Sequence, residues 1–158
     1  MLSFISPLSP RQRLIWSLLS RGLSVSEVAR RLRTTPQYVH QTKRAAEAKL
    51  LRALMEAARA SSIQIKLARP EAGILWGYHP GLRRDAIITY TARQGIKIWY
   101  WYDNPEEVTD QAFLNETREY LLTFAEERGI HLTEEEKKLH PAKLANIIFS
   151  RLLPGVKS

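Results

Sequence analysis

Apolar residues recur three or four positions apart through the first 60 residues, which predicts amphipathic helices. Each of three helices would begin at a residue that favours the N-cap position, namely Ser9, Ser24 and Thr35. A proline follows Ser9 and Thr35, where its fixed φ suits the first helical position. Gly22 is expected to end the first helix, and no helix breaker interrupts residues 37–60. The pattern therefore predicts three helices, with the third the longest.

The middle of the chain changes from helical spacing to the patterns that strands favour. Residues 63–67 alternate between apolar and polar side chains, and residues 73–78 form a second candidate strand. Residues 86–91 and 96–102 are rich in β-branched and aromatic side chains and flank a loop that ends in Gly95. We expect these two segments to form a β-hairpin.

Helical spacing returns in the last third of the chain. Asn104 and Pro105 predict the start of a long helix that Gly129 ends. A capping box that starts at Thr133 predicts a further helix start, and Pro141 is expected to start or kink a final helix. Helical spacing also predicts the inner face of the long helix, which comprises Phe113, Thr117, Tyr120, Leu121, Phe124 and Ala125.

These patterns together predict an α+β fold. A helical N-terminal domain, residues 1–60, would be joined through the long third helix to a C-terminal domain, residues 61–158. The second domain would contain a small antiparallel sheet and two or more helices. We expect it to serve in dimerisation or in sensing an effector.

Charge is distributed unevenly along the chain and suggests a partner. The formal net charge is +8, and residues 1–60 contain 11 basic and three acidic side chains. Such a concentration of positive charge favours a polyanion such as nucleic acid. The chain has no cysteine, which excludes a disulfide framework and a thiol nucleophile. It also lacks a long apolar run and a signal-peptide pattern, so we expect a cytoplasmic protein without a membrane partner.

Three short helices with a tight turn between the second and third are typical of a helix-turn-helix DNA-binding domain. On a helical wheel, Val39, Ala46 and Leu50 form an inward stripe, and the opposite face is polar. Glutamine amides can pair with adenine, and arginine with guanine. The candidate base-contacting residues are Gln37, Tyr38, Gln41 and Arg44. The candidate phosphate-contacting residues are Arg11, Arg13, Arg30, Arg31, Arg33, Thr35, His40 and Lys43.

Residues 8–55 resemble the promoter-recognition region of bacterial sigma factors and the LuxR-type regulators. They are also similar to the N-terminal half of archaeal Tfx-like transcriptional regulators. The resemblance implies that the positions of Gln37, Tyr38 and Gln41 contact bases. LuxR-type proteins are usually apolar at the position of Lys43, a departure that favours the sigma-type pattern. The residues that carry that pattern are Glu27, Ala29, Leu32, Val39, Gln41, Ala46, Lys49 and Leu50.

A single domain of this kind contacts only one half-site, so we expect a homodimer. The third helix continues its apolar stripe through Leu50 and Leu54, which could pair with a partner helix or pack in the chain's own core. The predicted strand 96–102 carries apolar or aromatic side chains on both faces, including Trp99 and Trp101. Plain core, a dimer interface and a small-molecule pocket, the last with Trp76 and Tyr78, remain alternatives.

Catalytic motifs are absent from the sequence. The four histidines lack metal-ligand spacing, and no phosphate-binding glycine loop or nucleophile elbow occurs, so we expect no catalytic residue, metal or cofactor. The sequence therefore favours a sequence-specific, homodimeric transcription regulator that binds double-stranded DNA. The alternatives are a sigma-like factor that contacts RNA polymerase and a DNA-binding accessory protein of a mobile element.

Overall fold

The computed structural model describes residues 6–101 and 110–153. Three helices come first, a four-stranded antiparallel sheet follows, and two helices complete the described chain. This is the mixed α+β fold that the sequence predicts. In chain order the elements are α1 (Pro10–Ser20), α2 (Val25–Arg31), α3 (Pro36–Ala60), β1 (Gln64–Arg69), β2 (Ile74–His79), β3 (Arg84–Thr91), β4 (Gly95–Tyr100), α4 (Gln111–Glu127), a 3₁₀ turn (Glu136–Lys138) and α5 (Pro141–Leu152).

The starts of the first three helices follow from local side-chain chemistry. The Ser9 hydroxyl accepts from the Gln12 amide at 3.3 Å, and the Gln12 side chain accepts from the Ser9 amide at 3.0 Å. Ser24 and Thr35 each accept at 3.1 Å from the backbone amide three residues later. Gly22, with a φ of +106°, follows the end of α1. The three predicted caps and the predicted stop are confirmed.

The four strands form an antiparallel meander in the order β1-β2-β3-β4. The predicted hairpin is its last two strands, although β3 begins at Arg84, before the predicted residue 86. A β-bulge between Ile65 and Leu67 interrupts the register of β1, an edge strand. Gly73 and Gly95 adopt φ values of +63° and +78° at the two tight turns that share one end of the sheet.

Helices cover both faces of the sheet. On β3, Ala86 and Ile88 pack with Leu54 of α3, whereas Ile87 between them packs with Phe124 of α4. This alternation places α3 on one face and α4 with α5 on the other. Strand β4 therefore needs apolar side chains on both of its faces, and their role in the chain's own core accounts for the pattern seen in the sequence.

Helix α3 belongs to two cores. Its first half contributes Val39 to a cluster with α1 and α2, and its second half contributes Leu54 and Ala58 to the cluster beneath the sheet. Leu50 lies between them, against Trp16 and Tyr90. We refer to α1, α2 and the first half of α3 as the N-terminal unit, and to the sheet with α4 and α5 as the C-terminal unit. The predicted domain boundary after residue 60 thus coincides with the end of α3, a helix that packs in both units.

The apolar stripe of α3 cannot pair with a partner helix in this structure. Leu50 and Leu54 have no exposed surface, because Tyr90 and the sheet of the same chain cover them. Of the two interpretations of this stripe, the intrachain core is the one that the structure shows. Leu50 and Leu54 are therefore wrong as candidates for a dimer or ligand surface.

Helix α4 begins later than the sequence predicts. Asp110 is its N-cap, and the Asp110 carboxylate accepts from the backbone amides of Ala112 at 3.1 Å and Phe113 at 3.3 Å. Asn104 and Pro105, the predicted start, lie outside the described residues. Phe113 was predicted on the inner face, but it is 53% exposed because the face that meets the sheet begins with Leu114.

The capping box at Thr133 forms but starts only one 3₁₀ turn. The Thr133 amide donates to the Glu136 carboxylate at 2.9 Å, and the Glu136 amide donates to the Thr133 hydroxyl at 3.0 Å. Pro141 restricts the residue before it to extended backbone, so the turn cannot continue into a longer helix. Helix α5 then begins at Pro141 as predicted, with Leu144 and Ile148 buried.

The buried guanidinium of Arg128 ties the end of α4 to the turn between β1 and β2 and to strand β3. It donates to the carbonyl of Ala72 at 2.9 Å, to the carbonyl of Phe124 at 3.4 Å and to the carbonyl of Tyr90. Its carbon lies 3.7 Å from the centre of the Phe124 ring, a cation–π contact. Desolvation lowers the pKa of Arg128 to about 10, and the nearby carboxylate of Glu127 opposes that shift.

Two further hydrogen bonds join the N-terminal unit to this junction. The indole nitrogen of Trp16 donates to the Pro70 carbonyl at 3.1 Å, and the Ser20 hydroxyl donates to the Glu127 carbonyl at 2.9 Å. Arg128 also lies 5.1 Å from the Trp16 ring. These contacts fix α1 against the C-terminal unit.

Candidate nucleic-acid interface

The relative orientation of α2 and α3 is set by a tight turn over residues 32–35 and by a small shared core. In the turn, Arg33 adopts a left-handed φ of +53°, and the Thr34 amide donates to the Ala29 carbonyl at 2.9 Å. Val28 and Val39, with no exposed surface, pack with α1 in the core below the turn. Two helices held at a fixed angle in this way can present one of them to a nucleic-acid groove.

The outer face of α3 is open and polar. The four candidate base-contacting residues are all exposed, and the inward stripe of Val39 and Ala46 is fully buried. The helical wheel therefore predicted both faces correctly, because a 25-residue helix keeps its period throughout. The C-terminal unit packs on the opposite side and leaves this face uncovered. The exposed residues are Gln37, Tyr38, Gln41 and Arg44.

Tyr38 is the one large apolar group on this face, with 39% of its surface exposed. The guanidinium of Arg11, on α1, lies 5.9 Å from the centre of the Tyr38 ring. This contact places a cation from α1 beside the first turn of α3. A phosphate contact and a base contact would then lie next to each other on the same surface.

Two small residues extend the face and were not singled out from the sequence. Ala45 and Ala48 are exposed on α3, four and seven residues after Gln41. Small side chains let the backbone of a helix approach a groove closely. Exposed alanine at helical spacing is a signal that could have indicated them, but alanine is also the commonest way to strengthen a helix.

Most of the predicted phosphate-contacting cations surround this face and are exposed. Within residues 6–101 and 110–153, none of Arg30, Arg31, Arg33 and Arg44 forms an ion pair, and His40 is also exposed. The segment between Pro36 and Ala46 contains no acidic residue. The surface therefore carries exposed arginines beside the face and one, Arg44, on it, with no acidic residue in that segment to offset them.

Three predicted phosphate-contacting residues are partly engaged within the chain. Arg13 is half-buried, and its charge acts on the Tyr90 hydroxyl. The Lys43 ammonium is also half-buried and lies 3.8 Å from the Glu47 carboxylate. The Thr35 hydroxyl caps α3, although its own proton remains able to donate.

The aromatic residues that were candidates for a dimer or ligand surface make much of their contact within the chain. Trp99 donates to the Thr89 hydroxyl at 3.0 Å and packs against the Tyr120 ring at a centroid distance of 5.3 Å. Trp76 donates to the Asp85 carboxylate at 3.0 Å. Their indole N–H groups are thus satisfied within the chain, and Trp76, Tyr78, Trp99 and Trp101 are all half-buried.

Neither a metal-ligand cluster nor a membrane-spanning helix occurs in the described parts of the chain. No group of three His, Asp or Glu side chains there is placed to hold a metal ion. No helix among those residues is long and apolar enough to cross a membrane.

Comparison with known proteins gives no family for this chain. No protein-family model, curated protein or solved structure matches it.

Proposed function

We propose that this protein is a sequence-specific transcription regulator that binds double-stranded DNA as a homodimer. The first half of α3 lies in the major groove and presents its outer face to base edges. One observation carries this proposal: the polar face of α3 is open to solvent, while its opposite stripe is fixed in the core.

The chemistry of the exposed face suits base contacts. The amides of Gln37 and Gln41 can each donate to and accept from adenine, and the guanidinium of Arg44 can donate two parallel hydrogen bonds to guanine. Tyr38, beside Arg11, can contact a thymine methyl group or the sugar. This set provides sequence preference, which positive charge alone does not provide.

The charges around the face suit the phosphate backbone. Arg11, Arg30, Arg31 and Arg33 are exposed on or between the helices that flank α3. Such contacts position a protein on the duplex and release counterions, so affinity falls steeply with salt. The formal net charge of +8 on the whole chain has the same effect on association.

A homodimer would place two copies of α3 about 34 Å apart, one turn of the duplex. Its interface must use a surface other than the buried stripe of Leu50 and Leu54. A dimer of this kind requires a two-fold symmetric DNA site, whereas a sigma-like factor that recruits RNA polymerase requires an asymmetric one.

Selection of bound sites from random duplexes tests the proposal. We expect enrichment of a two-fold symmetric site with half-sites about 10 base pairs apart. An asymmetric, promoter-like site would favour the sigma-like alternative. Absence of any enriched sequence, or no duplex binding at low salt, would overturn the proposal.

A matched pair of variants locates the contact surface in the same selection. Gln41→Ala with Arg44→Ala should abolish the enrichment. The control combines Arg59→Ala, at the other end of α3, with Gln64→Ala, on β1. It also removes one exposed arginine and one exposed glutamine, and should leave the enriched site unchanged.

A further inference from the structure

A cavity of about 460 Å³ lies where the N-terminal and C-terminal units meet. One wall comes from α1, α2 and α3, and the other from the turn between β1 and β2 and from the ends of α4 and α5. Ligand pockets in proteins typically have volumes of about 300–1,000 Å³. The cavity is thus large enough for a small molecule that would contact both units at once.

Much of the cavity wall is apolar. Trp16 and Leu19 of α1, Leu23 of the following turn, Val25 of α2 and Leu152 of α5 line it. Trp16 is held in place by its hydrogen bond to Pro70, and the side chains on α1 and α2 are anchored by the core of the N-terminal unit. Transfer of an apolar or aromatic body from water to this wall is favourable, because it removes apolar surface from solvent.

The charged groups on the wall are not equivalent. Arg128 donates to three backbone carbonyls and lies 3.8 Å from the Glu127 carboxylate, and Lys43 lies 3.8 Å from the Glu47 carboxylate, so both cations are paired with an anion. Glu71 is exposed and has no ion-pair or hydrogen-bond partner among residues 6–101 and 110–153. Only six acidic residues occur in the first 104 positions, and two of them, Glu47 and Glu71, line this one cavity. The unsatisfied charge at the wall is therefore negative.

We propose that the cavity binds a small organic cation with an apolar or aromatic body. Its ammonium group lies at the carboxylate of Glu71, and its body lies against Trp16, Leu19 and Val25. The charge on the wall selects a cation over an anion of the same shape, and the apolar wall selects against small hydrated cations.

Binding there would regulate the DNA contact, a consequence that rests on the proposed function. The ligand contacts Val25 of α2 and Glu47 of α3 on one side and the turn at Ala72 on the other. Its binding free energy therefore depends on how the two units are oriented. If ligand binding changes duplex affinity by some factor, duplex binding must change ligand affinity by the same factor.

Calorimetry with three indoles of matching shape tests the site on the full chain without DNA. The probes are tryptamine, which is a cation, tryptophol, which is neutral, and indole-3-acetate, which is an anion. We expect tryptamine to bind at a ratio of one per chain, about fivefold more tightly than tryptophol, with indole-3-acetate weakest. Equal affinities, the reverse order or no heat with tryptamine would overturn the proposal.

Acid-to-amide variants assign the charge that is recognised. Glu71→Gln should weaken tryptamine binding about fivefold and leave tryptophol binding unchanged, since a solvent-accessible ion pair contributes about 0.2–1 kcal/mol. Glu47→Gln should act in the same direction, and Glu56→Gln, an exposed residue of α3 outside the cavity, should have no effect. An equal loss in all three variants would contradict binding in the cavity.

The two proposals can fail separately. Tryptamine binding is measured without DNA, so a chain that binds tryptamine but no duplex would refute the proposed function alone. A chain that binds its selected duplex but none of the indoles would refute the cavity site alone. Unchanged duplex affinity at saturating tryptamine would refute the regulatory consequence.

Discussion

The indole nitrogen of Trp16 donates a hydrogen bond to the backbone carbonyl of Pro70 at 3.1 Å, across 54 residues of sequence. Trp16 is only 2% exposed and makes an edge-to-face contact with Tyr90 at a ring distance of 5.2 Å. This single side chain joins α1 to the sheet and to the turn between β1 and β2. The angle between the two units of the chain depends on it.

Replacing Trp16 with phenylalanine should destabilise the protein by about 1–3 kcal/mol, because the Pro70 carbonyl loses its donor and part of the indole volume becomes empty. Urea unfolding would measure this change. Leu14→Ala, on the same helix but 42% exposed, is the control and should change stability by less than about 1 kcal/mol. Equal effects of the two variants would contradict a joining role for Trp16.

Removing the guanidinium of Arg128 should cost more, about 3–5 kcal/mol for Arg128→Met, because three backbone carbonyls would lose their partner in a buried site. Arg128→Lys should recover only part of the loss, since an ammonium cannot donate in the same planar fork. Arg93→Met is the control, because the Arg93 side chain is 57% exposed and forms only a surface ion pair with Glu126. If Arg128→Met unfolds at the same urea concentration as the parent, the junction does not depend on this residue.

Stability should fall as the pH rises from about 10 to about 12 because of Tyr120. Burial raises the pKa of Tyr120 to about 12, so the folded protein keeps a phenol proton that the unfolded chain releases near pH 10. The contribution is complete below pH 10, and its loss over this window is about 3 kcal/mol. Tyr120→Phe lowers stability at neutral pH by removing the hydrogen bond to Thr89, but its stability should then vary less with pH.

Urea unfolding of the parent and of the Tyr120→Phe variant at several alkaline pH values would measure this. The readout is the difference between the two slopes of unfolding free energy against pH. Burial also raises the pKa of Tyr90 and lowers that of Arg128 to about 10, but these two groups are common to both proteins. Parallel pH profiles for the parent and the Tyr120→Phe variant would show that Tyr120 does not carry this dependence.

Gln41→Ala should reduce affinity for the selected duplex by about 1–3 kcal/mol and leave affinity for a scrambled duplex unchanged, if the Gln41 amide makes a bidentate base contact. Fluorescence anisotropy with both duplexes would measure this. Gln64→Ala is the matched control, since Gln64 is an exposed glutamine on β1. Unchanged affinity for both duplexes would remove Gln41 from the interface.

Arg31→Ala should instead weaken binding to every duplex alike. Loss of one phosphate contact should also reduce the slope of log affinity against log salt by about 1. Arg59→Ala is the control, because Arg59 is exposed in the last turn of α3, at the far end from the proposed contact. A loss confined to the selected duplex would assign Arg31 to a base instead.

Features that depend on residues three or four positions apart could be predicted from the amino-acid pattern alone. Ser9, Ser24 and Thr35 start helices because each cap is a hydrogen bond to an amide a few residues away. The outer face of α3 follows from the helical period alone. Helix α4 is less local, because its N-cap in the structure is Asp110, whereas the sequence pattern pointed to Asn104, which lies outside the described residues.

The partner that covers each apolar stripe depends on how the helices pack on the sheet and could not be predicted from the pattern. Leu50 and Leu54 could have met a second helix or their own sheet, because periodicity shows that a face is buried without showing what buries it. Arg128 has no local signal, since its carbonyl partners at Ala72 and Tyr90 come from turns and strands far away in sequence. Contacts of this kind exist only after layers have packed, so the junction and its cavity follow from the packing of the two units.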